Sequence, residues 1–525
     1  MNLSKTALAA ALSVAVASPA AAQQQGAENV ILMISDGIGF NGWLASDYYQ
    51  GKAGEQPYQV ARPDGTEPVM VGLAHDSLKL LDETGQVLKN GVDPDKAAAA
   101  VRQGYDPQRR WTRFENAFRN DFPPVAKDYT SYTDSAAAGS TMQNGRKTAN
   151  GRLNVDWTGE VELRTIAQIA ADQGRSAGAV STVMASHATP ASVIAHNVSR
   201  DNYVPIFNEM VASELDVIMG AGHPHYDASG NKIPKSERDA ETYKYVGGRE
   251  TWNQLTSDQG LNGFTFIDRV SQFQELAEGE KVPERVVGIG RSNNTLQAAR
   301  EGLPEGDTVS GMARRDDVPS LKTMTVGALN VLNQNDNGFY LMAEGGAVDW
   351  MGHANNMPRF IEEQKDFDRA VKAVIDWVEA NSSWEETLLI VTSDHETGGI
   401  WGAGTFRNGE GGPVAQNRSE AALKAARFDP TEDTFNEFRA VQNRGEGRLP
   451  GYQWASGNHT NELVPLWAIG AGAEQFREFT RTDLKAAELW GAPYGWDGDY
   501  VDNTAVFQVM NDAFARDQRQ NVASQ

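Results

Sequence analysis

Carboxylate and histidine side chains follow several apolar segments of this sequence, each at the point where a predicted buried strand ends. These residues are Asp36, Glu344, Asp394 and His395. One carboxylate at a strand end is usually a cap for the next helix, but several on different strands repel one another unless a cation lies among them. Ligands of open α/β sheets bind outside the carboxyl ends of the strands. The pattern therefore predicts a polynuclear metal site at that edge of a sheet.

The histidine positions extend this prediction, because three of the eight histidines lie beside carboxylates or in glycine-rich turns. Asp349 and His353 are four residues apart, so a helical turn would place both on one side. Any one of these histidines alone would more commonly be structural or exposed. Together they complete two candidate ligand sets, which are Asp349, His353 and His459, and Asp36, Asp394 and His395. Nitrogen and oxygen ligands without a thiolate suit Zn²⁺ with open positions for a substrate.

A candidate nucleophile is Ser135, which directly precedes a run of three alanines. The run predicts a helix that begins near Ser135, and a helix N-terminus attracts anions such as phosphate. Asp134 or Ser135 could instead serve only as the N-cap of that helix. The chain has no Gly-x-Ser-x-Gly motif and no obvious base for a serine triad. Activation of the hydroxyl would then have to come from a bound metal.

The elements that would position these residues alternate between apolar strands and amphipathic helices. The predicted strands are 30–34, 177–184, 216–219, 285–289, 339–342, 388–391 and 463–469, and the predicted helices are 163–171, 321–332 and 367–379. This alternation predicts an α/β fold with a central, mostly parallel sheet and helices on both faces. The stretches near 40–127 and 402–457 are rich in Gly, Pro, Asn and charge. We predict that they are surface insertions in a single domain of residues 23–525.

Composition and charge exclude several classes of protein. The chain has 525 residues, of which 40% are hydrophobic, so it can bury a core, and it has no cysteine for disulfides or thiolate metal sites. Its net charge of −23 argues against a general nucleic-acid or anionic-membrane binder.

The first 22 residues have the features of a signal peptide. They combine Lys5, an apolar segment at 6–17 and a small-residue cleavage pattern that ends at Ala22. A soluble N-terminal helix is the alternative. No other stretch reaches the ~20 apolar residues of a membrane span, so we expect no anchor in the mature chain. Cleavage after Ala22 predicts a periplasmic or secreted protein.

Several segments, taken together, resemble the alkaline phosphatase family. They are residues 133–137, 144–151, 187–190, 197–200, 344–349 with His353, 392–399 and 457–460. They occur in the family's order, and the set is far more specific than any one segment. His187, Trp350 and the absence of cysteine resemble the marine, cold-adapted bacterial branch of the family.

The resemblance implies a role for each matched residue. Ser135 would be the nucleophile that becomes phosphorylated, and Arg200 would clamp the phosphate, with Asp134 orienting it. One zinc ion would be held by Asp349, His353 and His459, the second by Asp36, Asp394 and His395, and a magnesium ion by Asp36, Thr189 and Glu344. His187 would act on the magnesium site through water, and Trp350 stands where the best-known bacterial pattern has a lysine near phosphate.

The implied enzyme is an exported phosphatase that hydrolyses small phosphate monoesters through a phosphoserine. It would use two Zn²⁺ and one Mg²⁺ per subunit, form a homodimer and bind no specific nucleic acid. Two other functions remain open. A phosphodiesterase of the same superfamily would lack the third metal set and often Arg200, and a sulfatase would need a modified Cys or Ser in its own motif. An exported scavenger of phosphate or metal would not need Ser135.

Overall fold

The structure is a computed structural model that describes residues 26–88, 96–112, 132–407 and 435–523, the last eight of these by their backbone alone. The predicted signal peptide at 1–22 lies outside the described residues. Parts of both predicted insertions, 89–95, 113–131 and 408–434, also lie outside them.

Seventeen strands lie in the part of the chain that the structure describes. They are β1 (Asn29–Ser35), β2 (Val69–Ala74), β3 (Lys79–Leu81), β4 (Ala99–Val101), β5 (Ser176–Met184), β6 (Val217–Ala221), β7 (Thr265–Ile267), β8 (Val286–Ile289), β9 (Phe339–Gly345), β10 (Thr387–Thr392), β11 (Glu396–Thr397), β12 (Ile400–Gly402), β13 (Tyr452–Trp454), β14 (His459–Thr460), β15 (Val464–Gly470), β16 (Arg481–Thr482) and β17 (Asp499–Asp502). The seven predicted strands correspond to β1, β5, β6, β8, β9, β10 and β15.

The described α-helices lie between and after these strands. They are α1 (Phe40–Gln50), α2 (Pro107–Arg110), α3 (Ser135–Asn144), α4 (Ile166–Asp172), α5 (Ala188–Ala191), α6 (Tyr203–Ala212), α7 (Gly248–Leu255), α8 (Val270–Ala277), α9 (Leu321–Leu332), α10 (Ala347–His353), α11 (Met357–Asn381), α12 (Leu484–Tyr494) and α13 (Thr504–Ala523). Short 3₁₀ helices cover Lys235–Glu237, Glu241–Val246 and Ala473–Phe479. Within the described ranges, no helix combines the length and apolar character needed to cross a membrane.

Eleven strands form one sheet in the order β16-β17-β2-β15-β10-β1-β9-β5-β6-β8-β7. Nine of them run in the same direction, while β15 and β16 run antiparallel to their neighbours. The central strand β1 pairs in parallel with β9 and β10, and Ile34 is in register with both Glu344 and Thr392. The predicted mostly parallel sheet is therefore confirmed, and the carboxyl ends of β1, β9 and β10 lie side by side.

Both faces of the sheet are covered, which explains why its strands are continuous apolar runs rather than alternating patterns. On β1, Ile31 and Met33 pack into one core, and Val30 and Leu32 pack into the core of the opposite face. Helices α9 and α11 cover the first face, and α4, α6 and α13 cover the second.

The sequence prediction that all of 40–127 is a surface insertion is wrong for two elements. Strand β2 lies inside the sheet between β15 and β17, and buried Trp43 of α1 packs edge-on against Phe367 of α11 at 6.2 Å. Strand β2 is a six-residue apolar run whose signal is masked by the Gly-, Pro- and charge-rich residues around it. The ladders β3–β4 and β12–β13 lie outside the central sheet. The exact limits of both insertions stay predictions.

Candidate active site

The elements around the central strands bring the predicted ligands to one edge of the sheet. Asp36 follows β1, Glu344 lies near the end of β9, and Asp394 and His395 follow β10. Helix α10 begins two residues after β9 and carries two more predicted ligands, Asp349 and His353, one turn apart. The last predicted zinc ligand, His459, lies on β14, which pairs with β11 beside the sheet.

The first ligand set surrounds one ring nitrogen. His395 Nε2 lies 3.2 Å from Asp394 Oδ2 and 3.6 Å from Asp36 Oδ1, and all three side chains are fully buried. The same nitrogen lies 3.2 Å from the Ser135 hydroxyl oxygen. The structure therefore assembles this set together with the candidate nucleophile.

The second set is assembled equally closely. Asp349 lies 3.4 Å from His353 Nε2 and 3.5 Å from His459 Nε2. The Nδ1 atoms of these histidines lie 2.7 Å from the carbonyl oxygens of Gly457 and Thr133, respectively. Because a carbonyl only accepts, each Nδ1 carries a hydrogen, which leaves Nε2 as the nitrogen whose lone pair a metal ion would bind.

The two sets are adjacent. The rings of His395 and His459 stack at 3.7 Å, and ligand atoms of Asp349, His395 and His459 lie within 4.8 Å of one another. Gly37 permits this approach: it has a φ of +76°, and a Cβ atom there would lie 2.6 Å from the Cα of Asp349. Thr397, which sequence reasoning missed, donates to Asp349 at 2.5 Å and lies 3.3 Å from His395 Nδ1. Its position two residues after His395 is the signal that could have identified it.

The predicted magnesium ligands have buried oxygens that are unsatisfied within the described chain. Both carboxylate oxygens of Asp36, Thr189 Oγ1 and Glu344 Oε1 have no hydrogen-bond partner among the described residues. Burying a polar oxygen without a partner costs about 1–3 kcal/mol, and more when it is charged. An all-oxygen set fits a hard divalent cation such as Mg²⁺. These residues therefore fit the implied ion.

The electrostatics of the cluster favour a bound cation. Burial raises the pKa of Asp36 well above its ordinary value, and the charges of Asp394, Asp349 and Glu344 raise it further. Burial also raises the pKa of Asp394 and of Glu344 to about 7. The pKa of His395 is lowered well below its ordinary value by burial, so this ring is neutral at and above neutral pH. Neutral imidazole beside crowded carboxylates is the protonation state of a metal centre.

Helix α3 places the candidate nucleophile. Asp134 is its N-cap, because Asp134 Oδ1 accepts a hydrogen bond from the Ala137 amide at 3.0 Å. Ser135 is the first residue of the helix, and its side chain is directed to His395 rather than to the helix amides. The structure thus separates the two roles that the sequence left open, since the cap is Asp134.

The second oxygen of Asp134 holds the candidate phosphate clamp. Asp134 Oδ2 accepts from Arg200 Nη1 at 3.1 Å and from the Gly151 amide at 2.9 Å. Arg200 Nη2 lies 3.4 Å from His187 Nε2. Burial and the charge of Arg200 lower the pKa of His187 to about 3, so His187 is neutral and can accept from the guanidinium.

A cavity of about 490 Å³ opens onto these groups. Its lining consists of Tyr132, Asp134, Ser135, His187, Arg200, Asp349, Trp350, His353, Asn458 and His459. The Trp350 ring lies 5.9 Å from the ring of His187, and Tyr132 lies 5.7 Å from the ring of His459. Sequence reasoning did not single out Tyr132 or Asn458. Their closeness in sequence to Ser135 and His459 is the signal that could have identified them.

Comparison with known proteins identifies the family. The family model described as alkaline phosphatase matches residues 117–485. Alkaline phosphatase 4 of Bacillus subtilis (strain 168) is 30% identical over 389 residues, which cover 67% of this chain and 75% of that protein.

Solved structures share the fold. An alkaline phosphatase from the Antarctic bacterium TAB5 aligns with a TM-score of 0.54 and 22% identity, covering 94% of this chain and 99% of that one. The Thermus thermophilus alkaline phosphatase aligns with a TM-score of 0.56 and 19% identity, covering 96% and 95%. The mostly parallel sheet and the matched segments lead to one conclusion: this chain belongs to the alkaline phosphatase family.

Proposed function

We propose that this protein hydrolyses small phosphate monoesters to an alcohol and inorganic phosphate through a phosphoserine at Ser135. The observation that carries the proposal is the position of the Ser135 hydroxyl, 3.2 Å from His395 Nε2 in a buried cluster of carboxylates and histidines. Membership of the alkaline phosphatase family supports the same reaction. We infer that the cluster holds two zinc ions and one magnesium ion.

Each ion has its own proposed ligands. They are Asp349, His353 and His459 for one zinc, Asp36, Asp394 and His395 for the second, and Asp36, Thr189 and Glu344 for magnesium. The ions, when bound, supply positive charge that neutralises the phosphoryl oxygens and the attacking and leaving oxygens.

The chain's own residues carry out two displacements. Ser135 Oγ attacks phosphorus in line, the bond from phosphorus to the ester oxygen breaks, and the alcohol leaves with the proton that the serine gave up. A water molecule then attacks phosphorus from the side opposite Ser135. The bond to Ser135 Oγ breaks, the serine regains a proton, and phosphate leaves. Two inversions give overall retention of configuration at phosphorus.

Arg200 would orient the phosphoryl group during both steps. A guanidinium offers a planar pair of N–H donors that matches two phosphate oxygens. Its salt bridge to Asp134, itself fixed by two backbone amides, holds the fork next to Ser135. His187 and Trp350 would form the adjoining wall of the cavity.

Replacing Arg200 by Ala is expected to raise KM and to weaken inhibition by inorganic phosphate by about 10- to 100-fold, since a charged bidentate contact is lost. Steady-state assays with phosphate as a competitive inhibitor measure both. Arg200→Lys is the matched variant: it keeps the charge without the fork and should lie between the wild type and Arg200→Ala. Equal phosphate inhibition in all three proteins would show that Arg200 is not the clamp.

The proposed function is tested by comparing a phosphate monoester, a phosphate diester and a sulfate ester at alkaline pH. We expect the monoester to be turned over fastest, because the Arg200 guanidinium and the proposed metal ions favour the phosphoryl dianion of a monoester. Faster turnover of the diester or the sulfate ester would indicate another activity of the same superfamily. Binding of phosphate without turnover of any ester would indicate a scavenger.

We further infer that the chain is exported to the periplasm or the medium and acts as a homodimer. Export rests on Lys5, the apolar segment at 6–17 and the cleavage pattern that ends at Ala22. The homodimer rests on family membership alone.

A further inference from the structure

The peptide that leads into the nucleophile is held from both sides. The Thr133 carbonyl accepts from the predicted zinc ligand His459, at 2.7 Å. The preceding carbonyl, of Tyr132, accepts from Lys79 Nζ at 3.0 Å and from Asn150 Nδ2 at 3.1 Å. Two consecutive carbonyls before Asp134 and Ser135 are thus fixed by side chains from three distant parts of the chain.

Lys79 is an unusual residue at such a place. It is the first residue of β3, in a stretch to which the proposed reaction assigns no role, yet it is only 4% exposed. Its Nζ also donates to Ser77 Oγ at 2.8 Å, and Asp134 and Asp76 are the nearby charges that stabilise it. Burial lowers the pKa of Lys79 to about 8, so the ammonium group is charged at neutral pH. Burying a charge is costly unless the charge is paired and hydrogen-bonded, and two of the groups that stabilise this one, the Tyr132 carbonyl and Asp134, lie in the segment that leads into Ser135.

A displacement of this peptide would affect the nucleophile and the clamp at once. Asp134 directly follows Thr133 in the chain. Its amide donates to Asn150 Oδ1 at 3.2 Å, and its carboxylate accepts a hydrogen bond from Arg200 Nη1 at 3.1 Å. Ser135 follows directly. A misplacement of reacting groups by about 1 Å can cost about 100-fold in rate.

We propose that Lys79 is a positioning residue for phosphoryl transfer, whose Nζ, as a hydrogen-bond donor, fixes the Tyr132 carbonyl and thereby the orientation of Ser135 and of the Asp134–Arg200 pair. The inference rests on the proposed function of the same site. The segment after β2 would then contribute to the reaction through Lys79, although Lys79 lies 53 residues before Tyr132 in the chain.

The test compares Lys79→Met with Lys79→Arg and with Lys147→Met. Lys147 is a matched control, because its side chain is 6% exposed and it pairs with Asp76 at 3.0 Å without a contact to residues 132–135 among the described hydrogen bonds. We expect Lys79→Met to lower kcat by about 10- to 100-fold and to weaken phosphate inhibition by about tenfold, with zinc and magnesium contents unchanged. Lys79→Arg, which keeps a charged donor, should recover most of both losses. Lys147→Met should lower the melting temperature with kcat and phosphate inhibition close to wild type.

Hydrogen exchange supplies a readout that does not depend on activity. The amides of residues 132–137 should exchange faster in Lys79→Met than in the wild type or in Lys147→Met, because one end of the peptide is released. Unchanged kcat and phosphate inhibition in Lys79→Met, or equal losses in Lys147→Met, would overturn the proposal. If the wild-type protein hydrolyses no monoester, the proposed function fails, and unchanged exchange at 132–137 would then reject the positioning role separately.

Discussion

Replacing Ser135 by Ala is expected to lower turnover of a phosphate monoester by at least about 1,000-fold and to abolish the covalent phosphoenzyme. The reason is the geometry of the hydroxyl, which lies 3.2 Å from His395 Nε2 within the ligand cluster and is 2% exposed. Without it, water would have to attack the substrate directly, and the two-step route is lost. Labelled inorganic phosphate, added at acidic pH and followed by digestion, should mark the peptide that contains Ser135 in the wild type only.

Metal content and folding should be nearly unchanged in this variant, since Ser135 caps nothing and the helix keeps Asp134 as its N-cap. Ser140→Ala is the matched control. Ser140 lies on the same helix, is fully buried and hydrogen-bonds to the Asn154 amide at 2.9 Å, but it does not line the cavity. Near wild-type turnover in Ser135→Ala, or a labelled phosphopeptide from another segment, would refute the assignment of the nucleophile.

The site residues that could be predicted are those whose pattern is formed by residues close together in the sequence. Apolar runs followed by Asp36 or Asp394 identify strand ends, and the four-residue spacing of Asp349 and His353 identifies one turn of α10. These features depend on neighbours in the chain, so pattern reasoning finds them. His459 is different, because β14 has two residues and pairs outside the main sheet. Its glycine-rich turn and the likeness of the 457–460 segment to the family predicted it as a ligand, but no strand or helix pattern predicted the element that carries it.

The part that could not be predicted depends on contacts between distant segments. The sequence left open whether Asp134 or Ser135 caps α3. The Ala137 amide donates to Asp134, which is therefore the cap, and the Ser135 hydroxyl is directed instead to His395, 260 residues away. Strand β2 joins the sheet by pairing with β15 and β17, which both lie roughly 400 residues further along the chain. No pattern among sequence neighbours predicts the contact of Lys79 with Tyr132 either, because a lysine before two apolar residues is typical of an exposed strand end.

Removal of metal is expected to abolish activity, at least about 100-fold, and zinc with magnesium should restore it. Ligands that bind only the native state stabilise it by about 4 kcal/mol per site at 1,000 times Kd. With three sites, chelation should lower the melting temperature by roughly 10 °C in a chain of this length. Elemental analysis and calorimetry on the same samples check the stoichiometry and the shift. One metal ion per active subunit would contradict the proposed centre.

The loss of stability on chelation should grow as the pH rises. In the metal-free protein, burial raises the pKa of Asp394 from 3.8 and of Glu344 from 4.5, each to about 7, so the folded state binds these protons more tightly than the unfolded chain. The free energy of unfolding therefore falls as the pH rises from about 4 to above 7, because the folded cluster must then carry repelling charges. Bound cations remove that repulsion, so the metal-loaded protein should lack this part of the decline in stability.

Other buried carboxyls, such as Asp47 and Asp368, also have raised pKa values, but they titrate in both the loaded and the metal-free protein. The difference in melting temperature between loaded and chelated protein, measured from pH 5 to pH 9, therefore isolates the cluster, and a difference that stays constant or shrinks would show that these carboxylates do not hold the cations.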